Sequence, residues 1–457
     1  MRDGVRSRRS TSKPGVKVAL QPSGRNGNSE YKLGLSENWI QFSVFTLLTL
    51  LIGMTIGIER VALPPLARHA FAVTSILYTV SFVSGFGVVK AVMNLVSGRI
   101  SDSHGRKSLL AVGWLFVIPF ALLIIFAQAW WWVVLANLFL GINQGLTWTM
   151  SVTSKIDLVG PQNRGLAVGI DESAGYVGVG VGGILAGILV ARFGLRPGPY
   201  LVVLAIMLLG LVLTVLAAKE TLPWAREEAS RVGAQNSQQS SAPKLLQLAS
   251  YMSWHDRTMF SVCQAGFLNK FADSLVIGFF PIYFLQKGET VTGVGMLVGV
   301  YALVWGFGQV ATGVLADRVG RKWPISAGIL LVGLGILVVL LGGTTAQWLV
   351  GATLMGLGMA LVYPNLISAV SDVAQPTWRG GALGIYRLWR DGGYAVGPLF
   401  LGGIAMVGGL SAALWASVIL MFISSLTVVF LFRETEAAHR SSPRVWEAHP
   451  ELIVPKG

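Results

Sequence analysis

Two adjacent carboxylates, Asp171 and Glu172 in the stretch GIDESAGY, interrupt a long apolar run and are the first candidates for proton chemistry. No basic residue lies one helical turn away from them along the chain. Burial and mutual repulsion both favour the protonated carboxyl, which brings at least one of the pair within reach of physiological proton exchange. The alternative is that one stays protonated or bonds to Tyr176, four residues beyond Glu172. Asp273 and Asp391 are the next candidates for a proton carrier.

Basic residues inside other apolar runs are candidates for binding an anion. The stretch YRLWRDGGY holds Arg387, Arg390 and Asp391, and Lys90 interrupts another run. A charge at the bilayer centre costs roughly 2.5 to 3.5 kcal/mol, so each of these groups needs a cavity or a partner. Arg387 lies one helical turn from Asp391, yet two arginines face one aspartate. The excess cation predicts an anionic or carboxylate-bearing ligand, and pairing with an acid on another helix is the alternative.

Two further charged pairs are close in sequence. Lys270 and Asp273 in FLNKFADS lie three residues apart, and Glu59 and Arg60 in GIERVALP are adjacent. Oppositely charged neighbours on a helix lower the cost of inserting each charge into lipid. For Glu59 and Arg60, which lie near the outer end of their run, this self-neutralising role is the preferred interpretation.

Uncharged polar and aromatic side chains supply the rest of a predicted solute site. Asn137, Gln144 and Trp148 follow a spacing that places them on one helix face. Tyr363 and Asn365 flank a proline, where a helix is expected to kink. Amide and indole groups around a few charges suit a small polar or amphipathic organic solute, while helix packing is the alternative role for each aromatic ring. The predicted binding residues are Lys90, Asn137, Gln144, Trp148, Asn269, Lys270, Tyr363, Asn365, Tyr386, Arg387 and Arg390.

The composition requires these residues to be carried by membrane helices. Of the 457 residues, 53% are hydrophobic and 12% are charged, against about 25% charged in soluble proteins. About twelve apolar stretches reach the roughly 20 residues that cross a bilayer as a helix. They lack the alternation of barrel strands, and a backbone in lipid must satisfy its own hydrogen bonds, so an all-α membrane protein is predicted. The predicted spans are residues 39–64, 72–97, 109–127, 131–156, 165–190, 199–218, 259–285, 291–312, 324–342, 347–371, 380–405 and 411–432.

The net charge of +14 reflects basic residues concentrated at one set of helix ends. Arg106 and Arg321 belong to this side, as does the basic segment 1–38. The positive-inside rule then predicts a protein of the cytoplasmic membrane with both termini in the cytoplasm. Contact with anionic lipid is expected, and a nucleic-acid partner is not. Residues 1–38 and 433–457 are predicted tails, the first of them disordered.

The cysteine, histidine and glycine patterns argue against an enzyme. The single cysteine, Cys263, rules out an internal disulfide and a multi-cysteine metal site, and the five histidines show no ligand spacing. The glycine-rich stretch GVGVGG lies inside an apolar span with no strand before it, so a dinucleotide-binding loop is not predicted. No enzymatic activity, metal or cofactor is expected.

The sequence contains a duplicated pattern. SGRISDSHGRKSLL and TGVLADRVGRKWPI share Gly, Asp, Gly, Arg and Lys at matching positions, and Gly98 of the first lies 215 residues before Gly313 of the second. The same separation relates IDLVGPQNRGLAVGI to SDVAQPTWRGGALGI. Two landmarks with one offset indicate two parallel six-helix halves. The halves are residues 39–218 and 259–432, and the polar stretch 219–258 is the cytoplasmic linker.

With this duplication, the motif G-x-x-x-D-x-x-G-R-K after the second span and again after the eighth resembles the major facilitator superfamily. The resemblance covers about residues 39–432 and implies twelve helices in two pseudo-symmetric bundles that rock about a central site. It implies a secondary transporter of a small molecule, driven here by the proton gradient and acting as a monomer. The second and eleventh spans are then expected to meet, which would bring Lys90 close to Arg387 or Arg390.

The duplicated motif is expected to form a latch on the cytoplasmic side. Gly98 and Gly313 would let helix backbones approach closely, and Asp102 and Asp317 would lie near a helix N-terminus of the other bundle. The arginines and lysines of the motif are expected at the level of the lipid headgroups. A topology signal without a gate is the alternative. The predicted gating residues are Gly98, Asp102, Arg106, Lys107, Asp157, Arg164, Gly313, Asp317, Arg321, Lys322, Asp372 and Arg379.

The proton-driven exporters of this superfamily share only part of their signature with this chain. Gln144 and Gly145 match, but Gly141 stands where those exporters carry Arg, and Val179 replaces the Pro of their fifth-span motif. The expectation is a proton-coupled exporter of a small, anionic or amphipathic organic molecule. Uptake by proton–solute symport and a receptor that keeps the fold without transporting are the alternatives.

Overall fold

The structure is a computed structural model that describes residues 31–160, 164–233, 245–374 and 379–435. Within these ranges the chain is helical and contains no β-strand. The first half contains α1 (Trp39–Phe71), α2 (Ile76–His104), α3 (Arg106–Leu115), α4 (Val117–Ile125), α5 (Trp130–Val159), α6 (Arg164–Phe193) and α7 (Gly198–Leu216). Two short helices follow, α8 (Leu222–Gly233) and α9 (Leu245–Ser250). The second half contains α10 (Arg257–Ser274), α11 (Phe280–Gln286), α12 (Val291–Val319), α13 (Lys322–Leu341), α14 (Thr345–Val373) and α15 (Arg379–Leu431).

Ten helical stretches among the described residues are long and apolar enough to cross a bilayer, against the twelve predicted spans. Two helices account for the difference. α5 carries the buried amides of Asn137, Asn143 and Gln144 and is not among the ten. α15 counts once, although Gly409 breaks it at φ 76° and each part is longer than the roughly 20 residues that a span needs. The third span is divided into α3 and α4, and π-helical residues Leu275–Phe279 join α10 to α11 in the seventh.

The two halves have the same internal arrangement. In the first half α1 packs along α6 and α2 along α5, and in the second α10 packs along α15 and α12 along α14. The halves meet where α6 contacts α12 and where α2 contacts α15. These contacts confirm the predicted pair of pseudo-symmetric bundles and the expected meeting of the second and eleventh spans.

Glycines of the GVGVGG stretch allow α6 to touch a helix on each side. A side-chain carbon at Gly178 would lie 3.0 Å from the carbonyl carbon of Leu50 in α1. One at Gly180 would lie 2.9 Å from the carbonyl oxygen of Gly299 in α12. Helix backbones approach this closely only where no Cβ intervenes. The glycine-rich stretch is therefore the packing surface that joins α6 to both bundles.

The bundles are in contact at one end of the molecule and apart at the other. The end where α1 begins is named the tail side here, and the opposite end the far side. On the far side, a Cβ at Gly187 of α6 would lie 3.1 Å from the Cα of Thr292 in α12. On the tail side, a Cβ at Gly169 of α6 or Gly384 of α15 would meet no described atom within 4 Å. The space between the bundles therefore opens toward the tail side.

Two segments predicted to be irregular contain ordered structure. The Tyr31 ring meets the Trp224 ring with centroids 4.8 Å apart, and the Gly34 N–H donates to the Leu158 carbonyl. The prediction of disorder is wrong for residues 31–38, because the ring finds a partner in α8 and the backbone finds one in α5. The predicted linker contains α8 and α9. Residues 1–30, 234–244 and 436–457 lie outside the described residues.

Candidate functional site

A central cavity lies between the two bundles. Its lining residues surround about 370 Å³ that protein atoms do not fill, a volume that includes space open to the solvent. α2, α5 and α6 of the first bundle and α10, α14 and α15 of the second contribute its walls. Most of its charged and aromatic residues are ones that the sequence predicted for solute binding or proton coupling. The lining residues are Lys90, Asn94, Trp148, Thr149, Glu172, Tyr176, Lys270, Tyr363, Arg387 and Arg390.

Two cations of the cavity have no carboxylate partner in the described part of the chain. Arg387 is partly exposed and forms neither a hydrogen bond nor an ion pair with a described residue. The Lys90 ammonium lies 5.4 Å from the ring centre of Phe86 and 5.2 Å from that of Trp148, without a carboxylate. A cation held away from water is costly unless a negative charge compensates it. The cavity therefore has a deficit of negative charge.

Arg390, in contrast, is paired with its neighbour in the chain. Its Nε lies 2.8 Å from Asp391 Oδ1 and its Nη2 lies 3.1 Å from Oδ2. It also donates to the Tyr363 hydroxyl, and Asn94 of α2 donates to the Asp391 carboxylate at 2.6 Å. The predicted pairing of Arg387 with Asp391 is wrong, because the Arg390 side chain folds back and occupies both carboxylate oxygens.

Glu172 is the carboxylate that lines the cavity. Its side chain is only 3% exposed, and the Trp148 indole N–H donates to one of its oxygens at 3.3 Å. The second oxygen has no hydrogen-bond partner among the described residues. Tyr176, the alternative partner considered from the sequence, instead accepts a hydrogen bond from Lys270. Glu172 is therefore held by one hydrogen bond and forms no ion pair with a described residue.

Asp171 is directed away from the cavity. Its Oδ1 lies 2.6 Å from Nζ of Lys155 in α5 and accepts a hydrogen bond from the Thr49 hydroxyl of α1 at 2.7 Å. All three side chains are fully buried. The sequence-based prediction searched only the helix that carries Asp171. The cationic partner, Lys155, lies on the neighbouring helix α5. The structure thus separates the two adjacent carboxylates into a fixed ion pair and a cavity residue.

A second buried ion pair joins the bundles on the far side of the cavity. Arg60 of α1 donates to both oxygens of Asp273 in α10, at 3.1 and 3.0 Å, and neither side chain is more than 2% exposed. The hydroxyls of Tyr301 and Tyr394 donate to the same carboxylate. The predicted self-neutralisation of Glu59 and Arg60 is wrong, because successive side chains of a helix point in different directions.

Five other predicted residues are buried but do not line the cavity. Asn137 and Asn365 donate to carbonyl oxygens four residues earlier in their own helices. Gln144 bonds to side chains at the contact of α1 with α5, and Asn269 donates to a methionine thioether. Tyr386 packs inside the second bundle against α10. None of the five lines the cavity in this structure, and each keeps one polar side-chain atom without a hydrogen-bond partner among the described residues.

The duplicated motif forms the same ion pair in each half. Arg106 Nε lies 3.1 Å from Asp157, and Arg321 Nε lies 3.4 Å from Asp372. The two arginines are 5% and 7% exposed. Each arginine is therefore buried against a carboxylate on a neighbouring helix of its own bundle.

A carboxylate also caps the helix that follows each copy of the motif. Glu220 accepts hydrogen bonds from backbone N–H groups at the start of α3, and Glu434 does the same at the start of α13. A helix N-terminus presents unsatisfied N–H groups and the positive end of its dipole. Neither residue was predicted. The available signal was the Glu-Thr dipeptide that follows the last span of each half.

The remaining predicted gating residues lie on the tail side. Lys107 donates to the Val215 carbonyl, and the Lys322 ammonium lies 5.8 Å from the ring of Trp323. A Cβ at Gly313 would meet no described atom within 4 Å, so the predicted close helix approach is wrong there, where the bundles are apart. The side chains of Asp102, Arg164, Asp317 and Arg379 and the surroundings of Gly98 lie outside the described residues.

Several residues of the site were not predicted. Lys155 had a clear signal, since it is a charge near the end of an apolar run and is as costly to bury as the charges that were identified. Asn94 and Tyr301 carried no signal, because a lone amide or phenol in a membrane span is most often a packing residue. Their roles depend on the carboxylates that other helices bring to them.

The family follows from the sequence as a whole. The sequence profile of the Major Facilitator Superfamily matches residues 45–268 and 262–455, which is nearly the full chain. The chain belongs to the Major Facilitator Superfamily. The apolar helices, the duplicated bundles and the cavity between them are therefore those of a multi-pass membrane transporter.

Relatives of this major facilitator protein are found in bacteria and archaea. An uncharacterized MFS-type transporter of Salmonella typhimurium is 24% identical over 357 residues, or 76% of this chain and 85% of that protein. An uncharacterized MFS-type transporter of Methanocaldococcus jannaschii is 30% identical over 141 residues, or 30% of this chain and 36% of that protein. The quinolone resistance protein NorA of Staphylococcus aureus is 25% identical over 157 residues, or 34% of this chain and 40% of that protein.

Solved structures of other transporters share the fold. A POT family transporter in complex with 5-aminolevulinic acid aligns with a TM-score of 0.67 at 14% identity, over 85% of this chain and 95% of that chain. A bacterial homologue of the human lysosomal transporter Spinster, in an inward-facing and unoccupied conformation, aligns with a TM-score of 0.67 at 15% identity, over 88% and 98%. At this level of identity the likeness concerns the fold of the major facilitator bundles alone.

Proposed function

We propose that this protein is a proton-coupled secondary transporter that carries a small organic anion across the cytoplasmic membrane. The observation that carries the proposal is the charge of the cavity. Arg387 and Lys90 lack a carboxylate among the described residues, while Glu172 faces the same space with one open oxygen. With both termini in the cytoplasm, the tail side is the cytoplasmic side and the cavity opens inward. One chain supplies all the walls of the cavity, which suits a monomer.

The unpaired cations support an anionic solute. A carboxylate or another anionic group would supply the missing counter-charge and form charge-assisted hydrogen bonds. The planar guanidinium of Arg387 can bind such a group through two parallel hydrogen bonds. The rings of Trp148 and Tyr363 line the same cavity and would contact an apolar part of the solute. These features together suit a small organic acid.

The position of Glu172 supports symport. Ionised Glu172 competes with a solute anion for Arg387 and Lys90, whereas protonated Glu172 leaves both cations to the solute. Binding of the anion and binding of the proton therefore strengthen each other, and this linkage is reciprocal. Solute and proton then travel together, so that an inward proton gradient drives uptake. We therefore propose symport, whereas the partial exporter signature favoured export.

Export by proton antiport is the second candidate. The retained Gln144–Gly145 pair and the similarity to a quinolone resistance protein favour it. Antiport requires the solute and the proton to displace each other. The two mechanisms therefore give opposite pH dependences of solute binding.

The test begins with a thermal-shift screen of the purified protein against monocarboxylates and dicarboxylates, and binding of the most stabilising anion is then measured against pH. Symport predicts an affinity that falls as the pH rises, by up to about tenfold per pH unit for one coupled proton. Glu172→Gln should bind the anion with little dependence on pH. A wild-type affinity that rises with pH would establish antiport instead.

Transport in proteoliposomes provides the second readout. Glu172→Gln should exchange the anion in counterflow but should not accumulate it in response to a proton gradient. Glu37→Gln, an exposed glutamate before α1, is the control and should behave as the wild type. Gradient-driven accumulation that survives in Glu172→Gln would remove Glu172 from the coupling. A wild-type protein that binds the anion without counterflow would be a receptor.

A further inference from the structure

The ammonium group of Lys270 lies inside a cage of four aromatic rings. Its Nζ lies 4.4 Å from the ring centre of Trp305, 5.1 Å from Tyr176, 5.1 Å from Tyr363 and 5.3 Å from Tyr394. Lys270 is 2% exposed, and none of the four rings is more than 5% exposed. Each distance is within the roughly 6 Å at which a cation is attracted to a ring face.

The rings pack on one another and keep the cage in shape. Tyr176 stacks on Trp305 with centroids 3.6 Å apart, and Tyr363 meets both rings edge-on at 6.2 and 5.8 Å. Tyr176 belongs to the first bundle and the other three rings to the second. The cage is therefore preorganised, crosses the bundle interface and borders the central cavity.

Lys270 depends on the cage because its carboxylate partner is shared. Asp273, three residues on, lies 3.6 Å from Nζ, as the sequence spacing predicted. The oxygens of Asp273 are also bound by an arginine of the first bundle and by two tyrosine hydroxyls. The Tyr176 hydroxyl accepts one hydrogen bond from Nζ. The aromatic faces therefore supply much of what compensates the ammonium for its lost water.

We propose that Lys270 is a built-in ligand: its ammonium fills a cation site made by the aromatic cage and excludes small organic ammonium ions from the cavity. Cages of this kind recognise amines and quaternary ammonium groups. Because the chain itself occupies the site, a solute meets cationic groups and no vacant aromatic cage. Lys270 thereby makes the cavity select anions over cations, a consequence that rests on the proposed function.

Removal of the lysine side chain should expose a site for a free amine. Lys270→Ala removes Cγ, Cδ, Cε and Nζ, and propylammonium restores these atoms one for one. We expect propylammonium chloride to raise the melting temperature of the purified variant saturably, by about 2 °C or more, and to leave the wild type unchanged. 1-Propanol, a neutral molecule of the same size, should have no such effect.

Two further variants locate the bound amine. Lys90→Ala removes another lysine of the same cavity, one that lies over two rings instead of four, and should respond at least several-fold more weakly. Lys270→Ala combined with Trp305→Leu removes the ring nearest the ammonium and should lose most of the response. The proposal is overturned if Lys270→Ala shows no saturable shift, or if the wild type, Lys90→Ala or propanol gives an equal one.

The test still gives a result if Lys270→Ala folds poorly. If Lys270→Ala fails to fold during expression, propylammonium present throughout should restore the folded yield, and a failure to restore it counts against the proposal. Lys270→Arg keeps a cation in the cage and is the folded reference. These measurements report binding and stability in the purified protein. They are independent of proton coupling and of transport direction, so failure of the Glu172 experiment and failure of the cage experiment are distinguishable.

Discussion

Asp171 and Glu172 show how a single residue step decides the environment of a buried carboxylate. Successive side chains of a helix are separated by about 100° around its axis. α6 therefore directs Asp171 at α1 and α5, where Lys155 and a threonine hydroxyl hold it, and directs Glu172 into the cavity. The first carboxylate has a permanent counter-charge. The second accepts one indole N–H and has no ion-pair partner among the described residues.

Asp171→Asn should destabilise the protein strongly, because it leaves the Lys155 ammonium buried without a counter-charge. Loss of one partner of a buried ion pair costs about 3–5 kcal/mol, measured here as the decrease in the free energy of unfolding in detergent. Asp171→Asn combined with Lys155→Met removes both charges and should recover most of the loss. Glu172→Gln, the same kind of change one residue away, should cost less than half as much. Equal losses for the two single variants would contradict the separation of the carboxylates.

The sequence identified most of the charged residues inside the membrane and the pairing of Lys270 with Asp273, but it did not identify the other ion pairs. The cost of burying charge identified Glu172 and Arg387, and the structure places both at the cavity. Arg60 and Asp273 are 213 residues apart, and no local pattern relates them, because their contact depends on how the bundles dock. Asn137 was misplaced for another reason. A helical face does not reveal whether an amide bonds to its own helix or faces a cavity.

At the scale of the element, α6 is the helix on which both bundles converge. Its central glycines touch α1 on one side and α12 on the other, while its first turns stand clear of the opposite bundle. The same helix thus contains tight and open glycines. This contrast permits a matched test of the packing role.

Gly178→Ala should force α1 away from α6, because its methyl group would collide with the backbone of Leu50. Overpacking of this kind typically costs about 1–3 kcal/mol of unfolding free energy. Gly169→Ala makes the same change where no described atom lies within 4 Å, and it should be neutral or stabilise the helix by up to about 1 kcal/mol. Thermal unfolding of both variants is the measurement. A neutral Gly178→Ala would show that α1 can shift to accept the methyl group without loss of stability.

The existence of the spans was predictable, but their interruptions were not. The lengths of the apolar stretches and the duplicated motifs were sufficient to predict two parallel bundles. The break at Gly409 and the π-helical turn Leu275–Phe279 depend on local backbone choices that apolar length does not encode. The ordered segment 31–38 was missed because its composition is polar. Its order depends on Trp224, which a distant part of the chain supplies.

At the scale of the whole molecule, the bundles are held together on the far side and apart on the tail side. Glycine contacts between α6 and α12 and the Arg60–Asp273 ion pair both lie toward the far side. Alternating access requires these contacts to separate while the tail side closes. A buried ion pair suits a contact that must open and close. When it opens, water solvates both charges, and this hydration offsets the lost attraction.

Arg60→Gln should increase the population that is open on the far side. Ile277 lines the void beside Arg60 and is 3% exposed, and the native Cys263 is buried, so Ile277→Cys is a suitable reporter. An impermeant thiol reagent added on the far side should label the Arg60→Gln background about tenfold faster, which corresponds to a population shift of about 1.4 kcal/mol. Arg68→Gln, an exposed arginine farther along α1, should leave the rate unchanged. If both backgrounds label at the original rate, the glycine contacts of α6 with α12 are sufficient to keep that side closed.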